Sequence, residues 1–245
     1  MKVMIIVVAL VVILISTGIY FLLRSRRSVD NWTFNPKDYD RIDFNPLDYD
    51  LVDENNKLLL GTVELTEKLV ISEYLPSNST VLELGARYGA VSLVIGTTLK
   101  NPERHVAIEP DKAVWNALET NKSKNGGKFT IIKRVLSKTP LYFKADGYSS
   151  RTVDNPVGND TVIPNITFDE LEKETNLVFD ALVIDCEGCL EKLLIDFPNI
   201  LDNMKFVTFE EDHTDICNYD WIKSQLSMKG FVQIRDRFHQ VWLKN

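Results

Sequence analysis

One stretch constrains the fold of this chain more than any other: residues 80–95, TVLELGARYGAVSLVI. It begins with a short β-prone run that reaches Glu83 and Leu84, passes through Gly85 and Gly89, and continues apolar with helical spacing. A strand, a glycine turn and a helix in this order form a nucleotide-binding crevice in an open α/β sheet. There the ligand lies beyond the carboxyl ends of the strands. The alternative is the same turn with no ligand.

A second acid follows the next predicted strand. Glu109 comes directly after His105–Ile108, 24 residues after Gly85. A carboxylate at that place can accept hydrogen bonds from both ribose hydroxyls of a nucleotide, and the alternative is an ordinary exposed glutamate. No lysine follows the glycines in the phosphate-loop pattern, so the turn does not indicate an ATP or GTP site.

Strands alternate with helices through the rest of the chain and end in a predicted hairpin. This order indicates an α/β fold with a mostly parallel sheet and an antiparallel C-terminal edge. Thr167 and Glu170 form a possible capping box at the start of one helix. Residues 146–165 are rich in Gly, Ser, Asn and Pro, and we interpret them as a long loop of the kind that often covers a site.

The amino-terminal residues differ in composition from the rest. Residues 3–23 are uncharged and almost wholly apolar, which is just long enough to cross a bilayer as a helix. We predict an uncleaved single-pass membrane anchor in residues 1–27; a signal peptide is the alternative. The arginines at 24, 26 and 27 favour a cytosolic location for the domain on their C-terminal side.

A polar connector, residues 28–54, contains two copies of a ten-residue repeat that begins at Phe34 and Phe44. We interpret it as a spacer, with a partner-docking tract as the alternative. The globular domain is predicted at residues 55–245. A net charge of −7 counts against nucleic acid as a partner, because such binding depends on neutralising phosphates.

The stretch DCEGC, residues 185–189, ends another apolar strand. It brings Asp185 and Glu187 to the same edge as Glu109, where one raised pKa would suit a general base. Alternatively, Asp185 orients the cofactor or caps the next helix. Three cysteines are too few for a disulfide framework, and Cys186 and Cys189 lack the second pair of a zinc site. A redox pair stays open, although two small side chains at a strand end are favoured.

Together these pieces resemble the FkbM family of S-adenosylmethionine (SAM) methyltransferases. The resemblance covers residues 61–245 in the family's order, and VIDCEG at 183–188 is its closest part. It implies a Rossmann-like class I methyltransferase fold that binds SAM. The residues implied in cofactor binding are Glu83, Gly85, Ala86, Gly89, Glu109, Ser137 and Asp185. Arg87 and Tyr88 depart from the family pattern, and such a bulky pair would narrow the cofactor mouth or touch substrate.

The implied reaction is in-line transfer of a methyl group to a hydroxyl of a glycan or small molecule. Asp185 and Glu187 are the first candidates for the base, followed by His213 and then His239. No metal site is predicted, because a solvated acidic turn at 210–213 is favoured over a divalent-metal site shared with Asp185. The alternative function is a non-catalytic, membrane-tethered scaffold on the same fold.

Overall fold

A computed structural model describes residues 49–147, 150–156, 158 and 160–244. The six helices in these residues are α1 Leu65–Tyr74, α2 Ala90–Thr98, α3 Trp115–Lys124, α4 Phe168–Thr175, α5 Leu190–Asp196 and α6 Tyr219–Met228. The strands are β1 Val81–Leu84, β2 His105–Ile108, β3 Thr130–Ile132, β4 Val135–Leu136, β5 Leu141–Lys144, β6 Arg151–Val153, β7 Thr161–Ile163, β8 Asn165–Ile166, β9 Ala181–Ile184, β10 Phe206–Glu210, β11 Val232–Arg235 and β12 His239–Leu243.

Seven of these strands form the central sheet, in the order β11-β12-β10-β9-β1-β2-β3. All neighbours are parallel except the two pairings of β12, which are antiparallel. The chain therefore starts in the middle at β1, runs outward through β2 to β3, and resumes on the other side of β1 at β9. This reversal creates a crevice at the carboxyl ends of β1 and β9. The predicted mostly parallel α/β sheet with an antiparallel C-terminal edge is confirmed.

Helices cover both faces of the sheet, which explains why the central strands are mostly apolar; the buried Glu83 of β1 and Thr208 of β10 are exceptions. On β1, Leu82 and Leu84 pack into the largest core cluster, together with side chains of α4, α5 and α6. Val81, on the opposite face, packs with Val70 of α1 and Val94 of α2. Alternate side chains of a strand point to opposite faces, so a strand buried on both sides has no polar stripe.

Residues 146–165 are more ordered than a loop. They contain β6 and β7, which flank β5 in a three-stranded antiparallel sheet, and the start of β8, which pairs with β4. Leu141 and Ile163 are buried in one cluster with Val135, and this apolar contact holds the small sheet against the domain. The strands are short and are separated by turn-forming residues, so their strand pattern could not be recognised in the sequence. The capping box is confirmed, because Thr167 and Glu170 each bond the other's backbone N–H.

The predicted location as a single-pass membrane protein is contradicted. None of the helices in the described part of the chain has the length and apolar character needed to cross a bilayer. The prediction rested on residues 3–23, which lie outside the described residues, as do the rest of the predicted anchor and most of the connector.

Candidate functional site

A cavity of about 440 Å³ lies at the carboxyl edge of the sheet, just beyond the ends of β1 and β9. Five of the residues predicted for the site line it: Gly85, Glu109, Ser137, Asp185 and Glu187. They come from four separate parts of the sequence. Gly85, Glu109 and Asp185 each follow a strand of the parallel sheet that ends at this edge, whereas Ser137 follows β4 of the separate β4–β8 pair. The position is the ligand-binding position of a doubly wound sheet.

Gly85 makes the close approach of β1 and β9 possible. Its φ is +90°, and a Cβ at this residue would lie 1.6 Å from the carbonyl oxygen of Asp185. The backbone N–H groups of Gly85 and Ala86 both donate to the carbonyl oxygen of Ile108, at 3.0 and 3.2 Å. The turn is thus tied to β2 on one side and pressed against β9 on the other, so no side chain fits at its first residue.

Glu109 is buried at the cavity wall, and backbone donors hold its carboxylate. The N–H of Arg87 donates to Oε2 and that of Asp111 to Oε1, each at 2.6 Å. Burial raises the pKa of Glu109 to about 7, against the lowering effect of these two hydrogen bonds. A carboxylate has about four acceptor positions. Two therefore remain that can accept hydroxyl donors from a ligand.

Three of the predicted cofactor residues lie outside the cavity wall. Glu83 is 2% exposed; it accepts a hydrogen bond from Ser92 Oγ at 2.6 Å and lies 2.8 Å from His105 Nε2. Gly89 begins α2 with a φ of +82°, and its N–H donates to the carbonyl oxygen of Ala86 at 2.7 Å. These contacts shape the turn from behind, and the cofactor roles of the three residues stay predictions.

Arg87 and Tyr88, the bulky pair at the turn, have side chains with different surroundings. Arg87, at a φ of +42°, lines the cavity, and its guanidinium donates to the carbonyl oxygen of Gly147 at 3.1 Å. Tyr88 is buried away from the cavity, and its hydroxyl donates to Glu54. Burial and this bond raise the pKa of Tyr88 to about 12. The guanidinium of Arg87 also lies over the Tyr88 ring, 5.0 Å from its centroid. Arg87 thus contributes a cationic side chain to the cavity wall, whereas Tyr88 anchors the segment that leads into the domain.

Asp185 lies in a concentration of negative charge. Burial raises the pKa of its carboxyl well above the usual range, and the carboxylates of Glu210, Glu64, Glu187 and Asp212 raise it further. A site with this field favours a cationic ligand, because a positive charge relieves repulsion among buried carboxylates.

Glu187 and His213 form a pair at the mouth of the cavity. Glu187 Oε2 lies 2.6 Å from His213 Nε2. Burial raises the pKa of Glu187, whereas the hydrogen bond with His213 lowers it. Gly188, at a φ of +86°, lets the two segments meet, since a Cβ there would lie 3.1 Å from His213 Cβ. His213 does not line the cavity itself, but it contacts a residue that does.

Cys186 and Cys189 form a disulfide in the cavity wall, and Cys217 is the free cysteine of the described residues. The favoured interpretation of two unlinked small side chains is thus replaced by the bonded pair. Glu187 and Gly188 both have left-handed φ values, which curl the turn until the two Cα atoms are 5.5 Å apart. That separation suits a disulfide. Of the two left-handed residues, only Gly188 could be recognised in the sequence as one that favours this conformation.

The outer wall of the cavity comes from the small antiparallel sheet, which sequence reasoning missed. Phe143, Arg151 and Asp154 line it, and Lys192 of α5 reaches across to Asp154 with a distance of 3.1 Å between Nζ and Oδ1. Polar residues adjoin both cationic side chains in the sequence, so nothing in the pattern distinguished them from solvated charges.

Three groups of side chains offer donors for a metal ion within 4.8 Å of one another. Two lie at the cavity edge: Glu187, Asp212 and His213 form one, and Asp185, Glu210 and Asp212 form the other. The third contains Glu67, Glu210 and His239. His239, the last candidate for the base, is paired with Glu210 and does not line the cavity.

Several of the solved structures to which this chain is similar are methyltransferases. A ribosomal protein L11 methylase from Lactobacillus delbrueckii subsp. bulgaricus is 16% identical, with a TM-score of 0.46 over 75% of this chain and 79% of that one. A precorrin-6y C5,15-methyltransferase from Geobacter metallireducens GS-15 is 12% identical, with a TM-score of 0.43 over 75% and 88%.

Magnesium protoporphyrin IX methyltransferase from Synechocystis PCC 6803, solved with bound SAM, is also 12% identical, with a TM-score of 0.40 over 75% and 78%. No protein-family model and no curated protein matches the chain. Membership of the FkbM family therefore stays a prediction, and the activity has to be argued from the site.

Proposed function

We propose that this chain is a SAM-dependent methyltransferase that methylates a hydroxyl of a glycan or small molecule. One observation carries the proposal: Gly85, Glu109 and Asp185 meet at a single cavity at the switch point of the sheet. The resemblance of residues 61–245 to the FkbM family supports the same chemistry and suggests the class of acceptor.

The side chains suit the charges of SAM. Glu109 keeps two acceptor positions for the ribose hydroxyls, since its backbone donors use the others. Asp185 and its neighbouring carboxylates suit a cofactor that carries a sulfonium and an ammonium group. When bound, SAM supplies an activated methyl group, so the protein contributes chiefly position and charge.

The remaining chemical task is to remove a proton from the acceptor hydroxyl, and Glu187 is placed for it. Its carboxylate lines the cavity, its pKa is raised by burial, and His213 fixes the position of Oε2. A carboxylate with a raised pKa is a stronger base than an exposed one. Glu187 thus accepts the proton, and His213 orients it.

Calorimetry with the full chain tests the cofactor. Glu109→Ala should weaken SAM binding at least about 100-fold, because it removes charge-assisted hydrogen bonds worth about 1.5–3 kcal/mol each. Glu119→Ala is the matched control: Glu119 pairs with Lys133 on the surface, outside the cavity. Equal affinity in the two variants would refute the assignment of Glu109.

Transfer of labelled methyl from SAM to pooled glycans and metabolites tests the reaction. Glu187→Gln should lower turnover at least about 100-fold while SAM affinity stays within a few fold of wild type, since general bases contribute typically 10²–10⁴-fold. SAM binding without transfer to any fraction would instead favour the non-catalytic scaffold.

A further inference from the structure

Glu67, outside the cavity, is a buried carboxylate with an unsatisfied atom. Its side chain extends from α1, the residue is 4% exposed, and Oε2 has no hydrogen-bond partner among the described residues. Leaving a buried polar group unpaired costs about 1–3 kcal/mol, and more for a charged one. Such an atom is explained by a ligand that supplies positive charge.

Strand register places a second carboxylate and an imidazole beside it. In the antiparallel pairing of β10 with β12, Glu210 lies directly opposite His239, and the two side chains are in contact. Val241, two residues further along β12, packs with Val70 and Ile71 of α1. Because strand side chains alternate, His239 and Glu210 lie on that same face, the one covered by α1.

The three side chains form a compact set of donors. One carboxylate oxygen from each of Glu67 and Glu210 and one ring nitrogen of His239 lie within 4.8 Å of one another. Donors that bind one ion at about 2.1 Å lie roughly 3–4 Å apart, so small side-chain rotations complete the set. The donors come from α1, β10 and β12, which the core holds in fixed positions.

The surrounding charge favours a cation. The carboxylates of Asp185, Glu64, Glu210 and Glu83 all act electrostatically on Glu67, so the field at its side chain is negative. The two groups at the cavity edge are different. None of the atoms in those groups is a buried, unpartnered polar atom in the described part of the chain, and their residues already have places in the proposed reaction.

We propose that Glu67, Glu210 and His239 bind a divalent first-row transition-metal ion that joins α1 to the β10–β12 pair. Mixed carboxylate and imidazole donors suit ions such as Mn²⁺, Fe²⁺ and Zn²⁺ better than Mg²⁺ or Ca²⁺, which prefer oxygen alone. The site shares Glu210 with one of the cavity-edge groups, but none of its three residues lines the cavity, and it does not rest on SAM binding. It also departs from the sequence prediction that the chain has no metal site.

The test uses Mn²⁺ added to the chelator-treated full chain, followed by electron paramagnetic resonance. We expect one Mn²⁺ per chain, a nitrogen coupling from an imidazole ligand, and a higher melting temperature. His239→Gln should abolish the nitrogen coupling. Both His239→Gln and Glu67→Gln should weaken binding at least about tenfold, because loss of even an outer-shell partner typically costs 10–100-fold.

Asp212→Asn is the matched control, because Asp212 belongs to both cavity-edge groups and not to this one. It should leave the Mn²⁺ affinity and the nitrogen coupling unchanged. Loss of binding only in Asp212→Asn, equal binding in all three variants, or no stoichiometric binding by the wild-type chain would each overturn the proposal. The wild-type measurement decides the question even if one variant folds poorly.

Discussion

A methyl group added at Gly85 has no space. It would lie 1.6 Å from the carbonyl oxygen of Asp185, whereas real Cβ atoms essentially never approach a heavy atom closer than 3.0 Å. The neighbour is backbone at the residue that directly follows β9, so the ends of β1 and β9 must separate at the cavity. The φ of +90° adds strain of its own. Strain of about 1–2 kcal/mol and overpacking of about 1–3 kcal/mol should together lower the free energy of unfolding of Gly85→Ala by roughly 3 kcal/mol.

Two other glycines separate these contributions. Gly126 has a φ of +70° but open space around its added Cβ, so Gly126→Ala should lose only the strain, about 1–2 kcal/mol. Gly96, inside α2, has open space and no positive φ, so Gly96→Ala should gain about 0.5–1 kcal/mol. Urea denaturation of the full chain, followed by circular dichroism, measures all three. If Gly85→Ala loses no more stability than Gly126→Ala, the carbonyl of Asp185 does not lie against the turn.

Three further predictions each rest on a single contact. SAM affinity should fall as pH is lowered through about 7, approaching tenfold per pH unit. The reason is that the ribose hydroxyls donate to the charged form of Glu109, whose raised pKa makes the carboxylate protonate in this range. Calorimetry between about pH 6 and 8 measures the affinity, and an affinity that does not change with pH contradicts the prediction. Reduction of the disulfide between Cys186 and Cys189 should lower the free energy of unfolding by about 2 kcal/mol. The urea midpoint of the wild-type chain should therefore fall when reductant is added, whereas the midpoint of the variant with both cysteines replaced by serine should not change. Thr167→Ala should cost about 1 kcal/mol by removing a helix cap, and Thr139→Ala, outside any helix, serves as comparison.

The parts of the site that sequence reasoning placed correctly share one cause. Gly85, Glu109 and Asp185 each follow an apolar strand, and parallel strands bring their carboxyl ends to one edge whatever the details of packing. Local pattern is sufficient for such residues, because strand period and chain order determine where they lie. Thr167 and its capping box were predictable for the same reason, since four consecutive residues contain the whole interaction.

The parts that were missed depend on packing between elements. Phe143 and Arg151 reach the cavity only because short strands pair within a stretch of turn-forming residues. Glu67 meets His239 only because α1 crosses the face of β12, and no spacing along the chain encodes that crossing. The disulfide needs two successive left-handed residues, of which Glu187 is a residue type that rarely adopts that conformation.

Arg87 and Tyr88 are adjacent at the turn, but only the side chain of Arg87 lines the cavity. The guanidinium of Arg87 lies over the ring of Tyr88, 5.0 Å from its centroid, so the two side chains pack on each other at the turn. The left-handed φ of Arg87 directs its backbone N–H to Glu109, while its guanidinium stays at the cavity. Tyr88 is buried, and its hydroxyl donates a hydrogen bond to the exposed Glu54. The pair therefore narrows the cavity with one side chain only, and that side chain is cationic. The wall at Arg87 is cationic and the wall at Asp185 is acidic, so the two sides of the cavity suit groups of opposite sign.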